Sequence, residues 1–301
     1  MNKIPTVTIG LPAYNEENNI AHLLGDLLKQ VQQTFELQQI IVFADGCTDQ
    51  TVQKVQSLAD HRVKLMVSNQ RQGIAYGLNS IAAESKTDIL VILNSDILID
   101  DTYCVQKLIE PLIAGEADFV AGALKELKGQ TLVQKVLSTS MEFKHSVFIN
   151  FKQGNNVFNC NGPIRAFSRS LYSKLRLQLG VADDMYSYFF AVSHNHIFKY
   201  VAEAHIFYKL PETVADYLKQ NFRFSNSLAG LDKYFDQEFI SEQIKIPFLT
   251  FFRAGLKCVV KHPVYFPQYI ILLAYARMKF LFTHSQFEDQ WAIAHSSKSI
   301  R

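Results

Sequence analysis

Four times before Ala114 the chain passes through a short apolar, β-rich run, a polar loop and a helical pattern, and this repetition constrains the fold more than any other feature. The runs are Thr6 to Leu11, Ile40 to Ala44, Val63 to Val67 and Asp88 to Leu93. Helical patterns follow from about Ile20, over Thr51 to Leu58, through Ala83 and from Thr102 to Ala114. The run Asp88 to Leu93 lacks the alternation of a half-exposed strand, so it is expected to be buried on both faces. Repeated β-α cycles predict an α/β fold, a mostly parallel, Rossmann-like sheet with helices on both faces. Ligands of such sheets bind outside the carboxyl ends of the strands, where the loops at Pro12, Asp45 and Asn69 would lie.

Beyond Asp96 the pattern becomes mixed, with a strand at Phe119 to Leu124 and a helical stretch from Leu132 to Phe148. From about Phe239 the chain turns aromatic and basic, which predicts a main domain over 1–238 and a helical tail over 239–301. A chain of 301 residues, 48% of them hydrophobic, can bury a large core without staples. The net charge of +2 excludes the global field of a dedicated nucleic-acid binder. Cys47, Cys104, Cys160 and Cys258 form no C-x-x-C pair, so reduced thiols in a cytoplasmic protein are expected. No apolar leader follows Met1, and a cleaved secretion signal is not expected.

Five segments carry chemistry. They are Pro12-Ala13-Tyr14-Asn15-Glu16-Glu17, Asp45-Gly46-Cys47-Thr48-Asp49, Arg71-Gln72-Gly73-Ile74 through Asn79, Asn94-Ser95-Asp96, and Asp183-Asp184. In this order and at these strand ends they resemble the loops of family-2 inverting glycosyltransferases of the GT-A fold, whose versions run P-x-Y-N-E, D-G-S-T-D-x-T, R-x-G-K-x-x-A-L-N, D-x-D and E-D. Asn161 to Arg169 is similar to that family's acceptor-side region, and Gln220-Asn221-Phe222-Arg223-Phe224 to the Q-x-x-R-W of its polymerising members. Cys47 stands for a serine, Ile74 for a lysine, Asn94 for the first aspartate, and Phe224 for a tryptophan, which puts processive synthesis in doubt.

The resemblance implies residue roles. Residues 1–97 would bind the nucleotide sugar and metal, and 98–238 would receive the acceptor. Pro12, Tyr14 and Glu16 would shape the base and ribose pocket, with Gly73 and Asn94 beside the donor. Asp45 would accept a hydrogen bond from a ring N–H, which uracil and guanine both offer; UDP is expected before GDP as the carrier. With Ile74 in place of lysine, Arg71 would be the cation at the diphosphate. Asp96 would hold a divalent metal, Mg or Mn, completed by phosphate oxygens and water. Asp184 would act as the base that deprotonates the acceptor hydroxyl, its basicity raised by Asp183 alongside; Gly162, Asp183, Gln220 and Arg223 would face the acceptor.

The implied activity is transfer, with inversion, of a hexosyl or N-acetylhexosaminyl group to a lipid-linked or saccharide acceptor, as in cell-envelope polysaccharide or glycolipid synthesis. A non-catalytic nucleotide-sugar binder is the alternative suggested by Asn94 and Ile74. A nucleotidyltransferase is another, though it would carry a glycine-rich phosphate loop after its first strand. His194-Asn195-His196 is a weak signal for a nuclease, and His205 is expected to be a packed histidine before a metal ligand. In the tail, Arg253, Lys257 and Lys261 fall on one face of a helical pattern that also carries Leu249, Phe252, Leu256, Val259 and Val260. The apolar run Tyr269 to Ala276 is too short to cross a bilayer, so 246–282 is expected to make peripheral contact with the inner face of a membrane.

Overall fold

The computed structural model describes residues 3–225, 228, 230–282 and 300. Seven strands form one sheet: β1 Thr6–Ala13, β2 Glu36–Asp45, β3 Val63–Ser68, β4 Ile89–Leu93, β5 Phe119–Glu126, β6 Ile164–Ser168 and β7 Phe198–Tyr208. Their order is β3-β2-β1-β4-β6-β5-β7. All neighbours run parallel except β6, which lies antiparallel between β4 and β5. Every residue of the central β4 is buried, as its unbroken apolar run requires, whereas the edge strand β3 is half-exposed.

The helices are α1 Ile20–Leu28, α2 Thr51–Gln56, α3 Ile74–Glu84, α4 Cys104–Ile113, α5 Leu132–Ile149, α6 Arg169–Tyr172, α7 Asp183–Ser193, α8 Val214–Ser225, α9 Gln237–Ile244, α10 Phe248–Lys261 and α11 Tyr265–Phe282. One face of the sheet buries Leu23, Leu24 and Leu27 of α1 and Leu108 and Ile109 of α4. The other buries Leu78 and Ile81 of α3 and Tyr186 and Phe189 of α7. The expected three-layer α/β architecture is therefore present. Register aligns the strand ends: Ala13 pairs with Ala44, and Gly10 with Ile92, so the loops after β1, β2 and β4 emerge side by side. At the opposite end Asp88 accepts from the Thr6 amide at 2.9 Å and hydroxyl at 2.8 Å, which fixes the stagger of β1 against β4.

The tail begins later than the composition suggested. Phe239, Ile240 and Ile244 of α9 pack against the sheet-side core, and Gln243 accepts from Lys152 at 2.7 Å and Tyr188 at 3.0 Å. The helices that stand apart are α10 and α11, both laid on α5. No described helix is long and apolar enough to cross a membrane.

Candidate active site at the carboxyl edge of the sheet

The first two loops are built as one piece. Asn15, in the left-handed region at φ 53°, accepts from the Thr48 amide at 2.8 Å and donates to its hydroxyl at 3.2 Å. The Glu16 amide donates to Thr51 Oγ1 at 2.7 Å, the Glu17 amide to Asp49 at 3.0 Å, and the Gln50 amide returns to Glu17 at 3.0 Å. Cys47 replaces a hydroxyl without loosening this junction: its Sγ lies 3.5 Å from both the Ala13 carbonyl and the Asn15 amide. Burial pushes the Asp49 carboxyl up, but hydrogen bonds from Thr51 and Glu17 outweigh that and hold it below its ordinary value.

Glu16 was expected to line the nucleotide pocket. It is instead buried, and its carboxylate accepts from Asn19 at 2.8 Å, so it braces the turn into α1. Asp45 also has a structural part that its motif does not reveal. Its two oxygens accept from the Gln72 amide at 2.7 Å and the Gly73 amide at 2.9 Å, and so suspend the third loop from the end of β2. Each oxygen keeps a second lone pair, which leaves the expected contact with a ring N–H open. The fit is close. Gly46 has φ 64°, and a Cβ there would lie 2.5 Å from the Arg71 amide nitrogen. Thus held, the Arg71 guanidinium sits over the Tyr14 ring, 4.1 Å from its centroid. Ile74, in the position where a lysine was anticipated, is the first residue of α3 and packs on the core.

The segment after β4 is fixed from three sides. The Asn94 amide donates to Pro163 O at 3.1 Å, Ser95 Oγ to Pro12 O at 2.8 Å, and Leu98 exchanges backbone hydrogen bonds with Phe207 at 2.8 and 2.9 Å. Between these anchors stands half-buried Asp96. Neither its carboxylate nor the Asn94 amide group hydrogen-bonds any described residue. The described residues hold no group of three potential metal ligands, and the donors expected at this end of β4 are the Asp96 carboxylate and the neutral Asn94 side-chain oxygen. Such a donor set fits a hard divalent cation carried in on diphosphate oxygens and does not fit an all-protein cage.

The remaining wall carries Asp183 and Asp184, the first residues of α7, and the structure separates their roles. Asp183 was expected on the acceptor side. It is buried instead, in an ion pair with Arg165 of β6, while its main-chain carbonyl accepts from Ser187 at 2.6 Å. The pair is internal, so the Asp183 carboxylate is committed to Arg165. Asp184 is half-buried at the start of the helix. Gly162 lies against it: a methyl group on Gly162 would come within 3.4 Å of Asp184 Oδ2. The Cys160 thiol donates to the Asp184 carbonyl at 3.3 Å, and burial pushes that thiol well above its usual range. Asn79 clamps the approach to α7 by a reciprocal pair with the Leu177 main chain, both bonds 2.9 Å. Arg165 and Asn79 carry no local signal of these roles, since their partners lie 18 and 98 residues away.

The helix α8, with Gln220 and Arg223, is anchored through Tyr217 and Leu218 to Leu137, Leu210 and Ala276, beside the tail helices; the Arg223 and Phe224 side chains lie outside the described residues. His194 stacks on Phe190 at the far end of α7, His196 pairs with Asp118 at 3.3 Å, and His205 lies 3.7 Å from Asp100. These histidines serve packing and surface pairs.

A polar ledge of interlocked loops stands at the carboxyl end of a mostly parallel sheet with a single antiparallel strand inserted, the architecture of the GT-A fold. The family model described as Glycosyl transferase family 2 matches residues 8–176, more than half of the chain, and the protein belongs to that family. Among curated relatives, it is 27% identical over 135 residues to the UDP-Glc:alpha-D-GlcNAc-diphosphoundecaprenol beta-1,3-glucosyltransferase WfgD of Escherichia coli, covering 44% of this chain and 51% of the relative. It is 25% identical over 156 residues to a glycosyltransferase of Haemophilus influenzae, covering 50% of this chain and 59% of that one. The chain thus spans little more than half the length of these relatives. Two solved structures share the GT-A fold. A mannosyltransferase from Pyrobaculum calidifontis in complex with GDP-Man and Mn2+ superposes with TM-score 0.60 at 18% identity, covering 92% of this chain and 76% of that chain. Glucosyl-3-phosphoglycerate synthase from Mycobacterium tuberculosis, in complex with Mn2+ and UDP-glucose, gives 0.57 at 18% identity, covering 77% and 81%.

Proposed function

We propose that the protein transfers a sugar from a nucleoside diphosphate, UDP before GDP, to an acceptor hydroxyl with inversion. The observation that carries this reading is one run of contacts joining the donor loops to the candidate base. Pro12 is tied to Ser95, Asn94 to Pro163, and the adjoining Gly162 lies against Asp184. A ledge for a charged donor and a half-buried carboxylate therefore belong to one rigid frame.

In this reading Tyr14 and Arg71 receive the base and phosphates, and Asp45 reads the ring N–H. Asp96 and Asn94 hold the diphosphate end with a divalent cation, which supplies neutralisation of the departing charge. Asp184 takes the proton from the acceptor hydroxyl as its oxygen bonds to the anomeric carbon and the bond from that carbon to the diphosphate oxygen breaks. Attack opposite the leaving group inverts the centre. Likeness to the E. coli relative, whose name gives a diphosphoundecaprenol-linked acceptor, favours a lipid-linked saccharide as acceptor, and Gln220 and Arg223 are proposed to lie on its side.

Donor turnover measured across UDP and GDP sugars, with and without manganese, tests the reading directly. Asp184→Asn is expected to bind the nucleotide sugar as the wild type does and to lose transfer. An Asp184→Asn enzyme that still transfers would remove Asp184 from the role of base.

A further inference from the structure

The tail helix α10 is mounted in an unusual sense. Its small residues Ala254 and Cys258 are buried against α5, while Phe248 is 80% exposed, Val260 76%, Leu256 59% and Phe252 56%. At about 100° of rotation per residue, three arcs follow one another around the helix. Ala254, Cys258 and Gly255 face the protein; Phe248, Phe252, Leu256, Leu249 and Val260 face outward; Arg253 and Lys257 border that outward arc along one side. The same arrangement continues in α11. Phe266, Tyr269 and Ala276 are buried, Ile271 is 70% exposed together with Ile270 and Met278, and Arg277 and Lys279 border the exposed arc.

Charge decides what would cover such a surface. Residues 243–287 contain Lys245, Arg253, Lys257, Lys261, Arg277 and Lys279 and no Asp or Glu. Lys261 pairs at 2.7 Å with Glu142 of α5, and Arg253 and Lys257 are exposed. An apolar face bordered by cations, on helices that carry no acid of their own, is complementary to anionic headgroups above acyl chains. We propose that the outward faces of α10 and α11 dock the protein on an anionic lipid bilayer, with Phe248, Phe252 and Leu256 inserted at the headgroup boundary and Arg253 and Lys257 at the phosphates. Docking in this manner lays the helices in the interface; it does not require either to span it.

Co-sedimentation of the full chain with vesicles tests this without donor or acceptor, so its outcome is independent of the transfer reading. The wild type is expected to bind vesicles containing phosphatidylglycerol at least tenfold more tightly than vesicles of phosphatidylcholine alone, and binding should fall as salt rises. Phe252→Glu with Leu256→Glu should weaken binding tenfold or more, and Arg253→Glu with Lys257→Glu should remove the preference for the anionic vesicles. These side chains are exposed, so unchanged melting of the variants would confirm that the fold is intact. Absence of wild-type binding to either vesicle overturns the proposal. So does undiminished binding by the Phe252→Glu/Leu256→Glu variant, or a wild-type dimer, seen by light scattering and abolished in that variant, without vesicle binding.

Discussion

At the carboxyl edge of the sheet, polar side chains are tied to backbone and to one another, and the apolar ones are buried beneath them. At α10 the order is reversed: small residues are buried, large apolar ones face outward, and the polar groups stand at the borders. Each region is marked by what its own chain does not cover. At the sheet it is the Asp96 carboxylate and the Asn94 amide group, and on the tail it is the outward apolar arc. The difference teaches that the site is a rigid construction and the tail is a surface. Substitutions at the first should therefore disturb catalysis or stability, and those at the second should disturb neither.

The largest expected effect is on chemistry. Asp184→Asn should lower turnover by about 10²–10⁴-fold with donor binding unchanged, read by single-turnover kinetics beside nucleotide titration. Next comes stability. Arg165→Met leaves Asp183 buried without its partner and is expected to cost about 3–5 kcal/mol in a urea titration. Adding Asp183→Leu should recover most of that loss, and failure to recover would mean that the pair does more than neutralise itself. Gly46→Ala forces a side chain into a left-handed backbone and toward the main chain of Arg71, and should cost about 1–3 kcal/mol while weakening nucleotide binding. On the tail, Val260→Ser should change the unfolding free energy read from a urea titration by less than about 0.5 kcal/mol, since that side chain is 76% exposed.

Acid sharpens the same contrast. The folded-state pKa of Asp49 lies below its ordinary 3.8, so its contribution is fully present above that value and is lost as pH falls through the folded one. Asp88, held low by the Thr6 amide and hydroxyl, follows the same sign. Nucleotide binding should thus begin to fail below about pH 4, and Asp49→Asn should remove part of that dependence, as followed by fluorescence titration.

Much of this was legible in the sequence because it is local. The strands β1 to β5, the helices between them and the polar loops at their ends each follow from period, breakers and an apolar run. The antiparallel insertion of β6 between β4 and β5 was not legible, because pairing partners are set by the whole sheet. The neighbours Asp183 and Asp184 read alike as letters and differ only once Arg165 arrives from another strand. Glu16 is a second case: its motif placed it at a pocket, whereas its carboxylate is buried against Asn19 and its main-chain amide meets Thr51. For α10 the amphipathic, cationic pattern was legible in the sequence, but the burial of Ala254 and Cys258 was not, because it depends on what the rest of the chain places beneath the helix.

Arg71 lies over the Tyr14 ring and covers the face that the proposed function gives to the base. If a planar base stacks on Tyr14, as proposed, it must exchange places with the guanidinium that already covers that ring. Because one stacked partner would replace another, the nucleoside portion alone would yield little net attraction. The displaced cation becomes valuable only when there is a phosphate for it to meet. On this account the free nucleoside should be a poor ligand and the diphosphate a good one, and the protein would measure the charge of its visitor before the identity of its base.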